Sequence, residues 1–392
     1  MIKQRVLRLM ETDILRCGGR SLTTFGISLQ NADEILQESS DLIRIELADI
    51  DQLSERSNAD QRISQLNTEQ RSVFDLIEAM CSGNTASNIL FLGASPGTGK
   101  SFLLNTVISH HRSQNHIVLA TASTANASLL LYKGRTVHSQ FKVPLNIHTD
   151  SMCNISRGTN LASLINQTSI IIIDEVTMLN KMVIESIDRS LQDIRNIPNP
   201  FGGIPVIMAG DYKQCLPIVP GQGRDGISSS VLTRSYLWPF TTICTLKISM
   251  RLRPGLEQWH QYLEDIGNGK LNNALDDVEL QHVNITSNIN DLISHVFPDL
   301  YSTSLNSVIL CPLNSSVTAI NNMIIDEVPG ESRTYLSIDS SLTEEGQSNY
   351  PVEFLNTLDI GCLPPHKLKL KIGTPIIVLR NIKHPTMVNG TR

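Results

Sequence analysis

The stretch Gly93-Ala94-Ser95-Pro96-Gly97-Thr98-Gly99-Lys100-Ser101 decides the fold, because an apolar strand-like run precedes it and a helical pattern follows it. Gly97 and Gly99 let the backbone turn so that successive N–H groups surround phosphate oxygens. Lys100 can reach the β and γ phosphates, and the Ser101 hydroxyl can hold Mg²⁺. The strict form of this loop has glycine at position 94, and we expect Ala94 to be extended or right-handed. The stretch therefore predicts a site for a nucleoside triphosphate.

Two further strand ends carry side chains that suit phosphate chemistry. Four isoleucines at 170–173 end in Asp174 and Glu175. Asp174 is expected to hold Mg²⁺, and Glu175 to orient and deprotonate the attacking water. The next strand runs into Gln214, whose amide can contact the γ-phosphate and sense its loss. Upstream, the Gln70 amide can pair with N6 and N7 of adenine, and a plain helix N-cap at this point is a compatible alternative.

Apolar runs alternate with helical stretches between residues 88 and 210. This rhythm predicts an α/β fold whose parallel sheet is covered by helices on both faces, with ligands at the carboxyl ends of the strands. The predicted strands are 88–93, 117–121, 169–174 and 205–210. A second α/β segment is expected from residue 245, with helices at 256–266 and 315–328 and strands at 307–311, 367–371 and 375–380.

The composition excludes several classes of protein. The 392 residues carry a net charge of −6 and 41% hydrophobic residues, which is typical of a globular chain of two or three domains. No apolar run reaches membrane-spanning length, so no membrane partner is expected. The seven cysteines form no C-x-x-C pair. That pattern argues against a zinc site or a disulfide framework and for a reducing compartment.

Two segments, one at the end of the second predicted strand and one after it, are candidates for contact with DNA. Hydroxyl and N–H groups at a strand end can bind backbone phosphates without reading sequence, and a ring after the following turn can stack on a base. The candidates are Thr121, Ser123, Thr124, His138, Ser139 and Phe141. Either His138 or Phe141 would supply the ring. The alternative, that Phe141 is a core residue and His138 a satisfied loop histidine, stays open.

The order of the motifs resembles that of superfamily-1 DNA helicases of the petite-integration-frequency (PIF) family, and within it the helicase region of Helitron-type transposons. The resemblance covers nearly the whole chain. It rests on residues 66–70, 93–101, 122–124, 134–139, 173–178, 210–217, 250–252, 363–370 and 389–392, with a transposon-type lead-in at 18–22 and 25–26. It implies ATP-driven 5′-to-3′ translocation on single-stranded DNA and unwinding of forked or 5′-tailed duplexes.

The resemblance also implies domains and residue roles. A helical or flexible lead-in would span 1–60, a RecA-like, phosphate-loop ATP-binding domain 61–244, and a second RecA-like domain 245–392. The implied catalytic residues are Lys100, Asp174, Glu175, Gln214 and Arg251, with Arg251 facing ATP from the second domain. The implied nucleotide contacts are Gln70, Gly97, Thr98, Gly99, Lys100 and Ser101, and Ser101 and Asp174 would hold Mg²⁺. DNA repair, recombination and telomere maintenance are the implied roles, in the nucleus or alternatively the mitochondrion, and a monomer is favoured.

Members of the family continue beyond the last matching motif into a β-rich insertion and further ATP and DNA motifs, so the second domain is expected to be incomplete here. On that basis we expect the isolated chain to bind ATP weakly and to unwind poorly. Two other readings compete with a helicase. One is a transposon-derived remnant that binds DNA without catalysis, and the other is a phosphate-loop kinase or remodelling ATPase.

Overall fold

The computed structural model describes residues 42–43, 46–47, 52–219, 221–250, 255–281, 283–298, 307–340, 351–358, 364–379 and 391. The chain forms two compact units, Met1–Leu271 and Asn272–Arg392. The predicted boundary between residues 244 and 245 falls inside a strand of the first unit, Thr241–Leu246. Within these residues, no helix has the length and apolar character that crossing a membrane requires.

The first unit contains one parallel sheet of six strands. In chain order the strands are β1 (Ile89–Ala94), β2 (Ile117–Ala122), β3 (Arg135–Thr136), β4 (Thr168–Asp174), β5 (Val206–Gly210) and β6 (Thr241–Leu246). Their order across the sheet is β3-β2-β4-β5-β1-β6, and every neighbouring pair is parallel. The four predicted strands are therefore confirmed, whereas β3 and β6 were not predicted.

Helices precede and connect these strands. They are α1 (Gln52–Ser64), α2 (Thr68–Cys81), α3 (Lys100–Ser113), α4 (Ala125–Leu129), α5 (Val137–Phe141), α6 (Asn160–Asn166), α7 (Lys181–Arg195), α8 (Arg224–Ser230) and α9 (Glu257–Gly267). α2 begins with a capping box, in which Asn67 accepts from the Gln70 N–H and the Gln70 side chain accepts from the Asn67 N–H. The predicted N-cap is thus confirmed at Asn67.

The sheet separates two apolar cores, because alternate residues of each strand point to opposite faces. On β4, Ile171 and Ile173 lie in one core and Ile170 and Ile172 in the other. Helices α5, α6 and α7 complete the first core, and α2 and α3 complete the second. Burial on both faces explains why these strands are continuous apolar runs, and it confirms the predicted α/β arrangement.

The described residues before position 60 pack onto the first unit. Ile43 and Leu47 are partly buried against its core. Glu46 is only 8% exposed, and its carboxylate lies 3.6 Å from the guanidinium of Arg112 and 3.8 Å from that of Arg135. Since a buried carboxylate needs such partners, these residues form an integral part of the unit.

The second unit contains α10 (Ile289–Val296), α11 (Asn314–Glu327), α12 (Val352–Leu355) and two antiparallel strands, β7 (Ser332–Leu336) and β8 (Lys367–Lys371). The predicted helix at 315–328 and strand at 367–371 are confirmed, as is the helix at 256–266, which is α9 of the first unit. The predicted strands at 307–311 and 375–380 are wrong over their described residues, which are irregular. Val308 and Leu310 are exposed, and no described strand pairs with them. The second RecA-like domain stays a prediction.

Candidate nucleotide-binding site

The phosphate loop joins β1 to α3 and has the backbone that its glycines predict. Gly97 and Gly99 have φ angles of 88° and 82°, in the left-handed region that glycine adopts without strain. A Cβ at Gly99 would also collide with the Gln70 amide. Ala94 ends β1 opposite Leu246, so its backbone is extended and needs no glycine. The expectation for position 94 is therefore confirmed.

The side chains of Thr98 and Gln70 form hydrogen bonds with carbonyl groups of the loop. The Thr98 hydroxyl donates to the Ser95 carbonyl at 2.8 Å, and the Gln70 Nε2 donates to the Thr98 carbonyl at 2.9 Å. Gln70 is 1% exposed, and its Oε1 accepts from the Asn67 N–H at 3.1 Å. Both polar atoms of this amide are thus engaged by the protein. Contact of Gln70 with adenine stays a prediction.

Lys100, Asp174 and Glu175 meet beside the phosphate loop. The Lys100 Nζ lies 2.8 Å from Asp174 Oδ1 and 2.6 Å from Glu175 Oε1. Burial lowers the pKa of Lys100, but the charges and hydrogen bonds of the two carboxylates outweigh it, and the pKa stands above its usual value. The ammonium is therefore charged and aimed at the point where strands β1 and β4 end.

Glu175 carries two signs of a functional position. Its φ of 51° and ψ of 37° place it in the left-handed region, which costs a residue with a Cβ about 1 kcal/mol or more. Its Oε2 is buried and has no hydrogen-bond partner. An unpaired carboxylate oxygen in the pocket is an acceptor for a water molecule, as deprotonation of an attacking water requires.

The donor set that faces the loop suits a hard cation. Asp174 supplies a carboxylate at the end of β4 and Ser101 a half-buried hydroxyl at the start of α3. Oxygen donors of this kind match Mg²⁺, which keeps several waters and binds mainly through one or two carboxylates and phosphate oxygens. Over the described ranges, no cluster of three or more His, Cys, Asp or Glu side chains is arranged to hold a metal.

The end of β5 packs directly against the end of β4. Thr177 donates through its hydroxyl to the Asp211 carbonyl at 3.3 Å, and a Cβ at Gly210 would lie 2.8 Å from the Thr177 methyl group. Gln214 follows in a turn, in which its N–H donates a hydrogen bond to the Asp211 carbonyl at 3.1 Å. The Gln214 side chain is exposed. The fold thus brings Gln214 to the same edge as Asp174, while its contact with a γ-phosphate stays a prediction.

Glu264 is a site residue that the sequence did not reveal. It projects from α9 and accepts a hydrogen bond from the Ser95 hydroxyl of the phosphate loop at 2.8 Å. Its other oxygen forms an ion pair with Lys213, and the hydrogen bond from Lys213 lowers the pKa of Glu264. Glu264 therefore bridges the loops that follow β1 and β5. No local sequence pattern around position 264 predicts this contact, because both partners are distant in the chain. Ser95 lies more than a hundred residues away and Lys213 about fifty.

The segment that follows β6 also reaches the phosphate loop. The Met250 N–H donates to the Gly97 carbonyl at 2.7 Å, and the Asn67 Nδ2 lies 3.3 Å from the Met250 sulfur. Arg251, the predicted ATP-facing arginine, comes next in the chain and lies outside the described residues. Its role stays a prediction.

Two of the predicted DNA contacts are wrong. Phe141 is 0% exposed and belongs to the core that α5 shares with α6 and α7, so its ring cannot stack on a base. Thr121 is fully buried within β2, and its hydroxyl donates to the Ile172 carbonyl at 2.8 Å. β2 runs one residue further than predicted, so Thr121 is not the last residue of the strand but lies inside the sheet.

The other four candidates keep some access to solvent. Ser123 is half-buried with its hydroxyl 3.8 Å from the Met178 sulfur, and Thr124 caps α4 through its hydroxyl. His138 is half-buried, and burial lowers its pKa, so the ring is neutral at physiological pH. Ser139 is exposed on α5. Their contact with DNA stays a prediction.

Two family models match the chain. Residues 65–277 match the model of the PIF1-like helicase, and residues 353–392 match the model of the 2B domain of the DNA helicase Pif1. The second match covers residues that the sequence analysis assigned to a second RecA-like domain. The first match alone spans more than half of the chain and includes the phosphate loop, both carboxylates and Gln214.

Curated relatives agree with these matches. The chain is 28% identical over 313 residues to the ATP-dependent DNA helicase Pif1 of a Psychrobacter species, which covers 78% of this chain and 44% of that protein. It is 23% identical over 330 residues to the human ATP-dependent DNA helicase PIF1, which covers 84% of this chain and 46% of that protein. The chain thus spans less than half the length of these relatives.

Solved structures share the fold. A structure described as Pif1 helicases unwinding forked double-stranded DNA aligns with a TM-score of 0.58 at 24% identity, over 83% of this chain and 70% of the other. Pif1 of Bacteroides bound to single-stranded DNA aligns with the same score at 23% identity, over 83% and 68%. At this identity the likeness establishes the RecA-like α/β fold. The family-model match over residues 65–277, more than half of the chain, shows that the chain belongs to the PIF1-like helicase family.

Proposed function

We propose that this chain carries the ATP-hydrolysing part of a DNA helicase that moves 5′ to 3′ on single-stranded DNA and opens forked or 5′-tailed duplexes. The observation that carries the proposal is the Lys100 ammonium, held 2.8 Å from Asp174 and 2.6 Å from Glu175 beside the glycine loop. The ammonium and the loop suit the phosphates of a nucleotide, and the carboxylates suit a metal and a water.

Each residue of the site has its own role in ATP hydrolysis. Lys100 releases its carboxylates and binds the β and γ phosphates, which frees Glu175 to accept a proton from the attacking water. Ser101 and Asp174 hold Mg²⁺, which when bound neutralises charge on the phosphate oxygens. Gln214 reports the presence of the γ-phosphate. Gln70 contacts adenine by exchanging its bonds to Thr98 and Asn67 for bonds to the base. These two roles rest on the position of both residues in the family's motifs.

The proposal also covers the contacts with DNA, the cellular location and the biological role. Ser123, Thr124, His138 and Ser139 contact the single strand, since these candidates are not fully buried. The similarity to DNA helicases, and to helicase structures with forked or single-stranded DNA, supports DNA as the partner. The chain works as a monomer in the nucleus, with the mitochondrion as the alternative site, in DNA repair, recombination and telomere maintenance.

The first test measures ATP hydrolysis with and without an oligonucleotide of single-stranded DNA. Stimulation by DNA is expected, and Lys100→Ala and Glu175→Gln should each lower the rate by two or more orders of magnitude, in line with the roughly 10²–10⁴-fold contribution of a general base. DNA binding without hydrolysis would instead identify a catalytically impaired remnant. Hydrolysis indifferent to DNA would identify another class of phosphate-loop ATPase.

The second test compares duplexes that carry a 5′ or a 3′ single-stranded tail. Since the isolated chain is expected to unwind poorly, the proposal expects slow unwinding that is confined to the 5′-tailed duplex. Glu175→Gln should bind both duplexes and unwind neither. Unwinding of the 3′-tailed duplex alone would contradict the proposed direction while leaving the ATPase assignment intact.

A further inference from the structure

Glu69 ties the start of α2 to the chain that leaves the sheet after β6. Its Oε2 accepts the N–H of Lys247 at 2.8 Å and the N–H of Ile248 at 3.0 Å. The two amides follow the last strand residue, Leu246, and lie in neither a helix nor a strand. A single carboxylate oxygen therefore satisfies two backbone donors that have no ladder partner.

The bonds next to Glu69 connect the same segment to the nucleotide pocket. Gln70, the following residue of α2, donates to the Thr98 carbonyl of the phosphate loop at 2.9 Å. On the other side, the Met250 N–H donates to the Gly97 carbonyl of that loop at 2.7 Å. The segment 247–250 is thus bonded at one end to α2 and at the other to the phosphate loop.

The chemistry of Glu69 suits this task. It lies in the first turn of α2, where the unpaired N–H groups of the helix favour a negative charge. Hydrogen bonds to a charged acceptor are about twice as strong as those between neutral groups. Both bonds use the same oxygen, so the amide oxygen of glutamine in the same place could accept both of them.

We infer that Glu69 is a positioning residue that holds the segment 247–250 against the phosphate loop. The inference rests on the proposed function, because the segment leads directly into Arg251, the predicted ATP-facing arginine. Among the described residues, the hydrogen bonds of the Glu69 side chain go to Lys247 and Ile248 and not to the loop glycines or the carboxylates, so its loss changes the placement of the segment and leaves the phosphate-binding groups intact. Its removal therefore lowers the rate of the chemical step more than the affinity for ATP.

Amide hydrogen exchange tests the hydrogen bonds directly and needs no enzymatic activity. In the full chain, Glu69→Ala is expected to speed exchange at Lys247 and Ile248 by about tenfold or more, whereas Glu69→Gln keeps both amides protected. Asp75→Ala is the matched control, since it removes an exposed carboxylate of the same helix whose ion-pair partner is Arg71. Unchanged exchange in Glu69→Ala, or equal acceleration in Asp75→Ala, overturns the inference.

Kinetics then separate positioning from general destabilisation. Glu69→Ala is expected to lower kcat for ATP about tenfold with KM within about twofold, and Glu69→Gln should restore most of the rate. In an Arg251→Ala background the loss caused by Glu69→Ala should largely disappear, because residues that act through each other are not additive. Full additivity overturns the inference. A normal rate in Arg251→Ala alone would instead refute the role proposed for Arg251, and the exchange result would still decide on Glu69.

Discussion

Replacing Phe141 distinguishes a core residue from a DNA contact. The ring is 0% exposed and sits with Val137, Leu164 and Ile165 in the core beneath α5 and α6. Truncation of a fully buried phenylalanine to alanine removes the transfer free energy of the ring and leaves a cavity, which together cost about 3–5 kcal/mol. Phe141→Leu keeps most of the apolar volume and should lose less than about 1.5 kcal/mol.

The assay combines urea unfolding, followed by far-ultraviolet circular dichroism, with binding of a fluorescent single-stranded oligonucleotide. Stability should fall in the order wild type, leucine variant, alanine variant, while the DNA affinity of the folded fraction stays within about twofold. A stacked base contributes about 1–3 kcal/mol, or roughly 5- to 150-fold in affinity. Normal stability of Phe141→Ala combined with an affinity loss of that size would refute the assignment of Phe141 to the core.

Two further predictions concern stability. Burial raises the pKa of Glu78, but hydrogen bonds and charges from His110 and His111 outweigh it and lower the pKa to about 2 from 4.5. The carboxylate therefore stabilises the fold above pH 4.5, and this contribution disappears as pH falls through about 2. Because Glu78 is 31% exposed, we expect Glu78→Gln to cost only about 1–2 kcal/mol in urea unfolding at pH 6 and much less near pH 2. An equal loss at both pH values would contradict this. At Gly134 a Cβ would collide with the Ser128 carbonyl, so Gly134→Ala should cost about 1–3 kcal/mol, whereas Gly223→Ala, with open space around it, should cost almost nothing.

The sequence predicted β1, β2, β4 and β5 because each of these four strands is buried on both faces. Burial of that kind demands continuous apolar runs, as in the four isoleucines at 170–173, and no helix among the described residues has such a run. β6 was not predicted, because it is not buried in this way. It lies at the edge of the sheet, and residues such as Thr242 and Ile243 are exposed, so its pattern is not that of a buried strand.

Contacts made across long stretches of chain could not be predicted from local pattern. Glu264 reaches Ser95 and Lys213, and Glu69 reaches the amides after β6, yet each stands in an ordinary amphipathic or capped helix sequence. In the second unit the apolar run at 307–311 resembles a strand, but a strand also requires a neighbour to pair with. Pairing is a property of the fold that composition and periodicity do not reveal.

The different environments of Asp174 and Thr121 share one cause, namely the position of each residue relative to the end of its strand. Asp174 is the last residue of β4, and its carboxylate reaches across the edge of the sheet to Lys100. Thr121 is the penultimate residue of β2, and its hydroxyl donates a hydrogen bond to a carbonyl of the neighbouring strand. A sequence fixes strand ends only to within a residue or two. A shift of one residue in the strand end therefore decides whether a polar side chain bonds to the sheet or faces the ligand. Strand-end predictions should therefore be tested most stringently at hydroxyl residues, which satisfy either role.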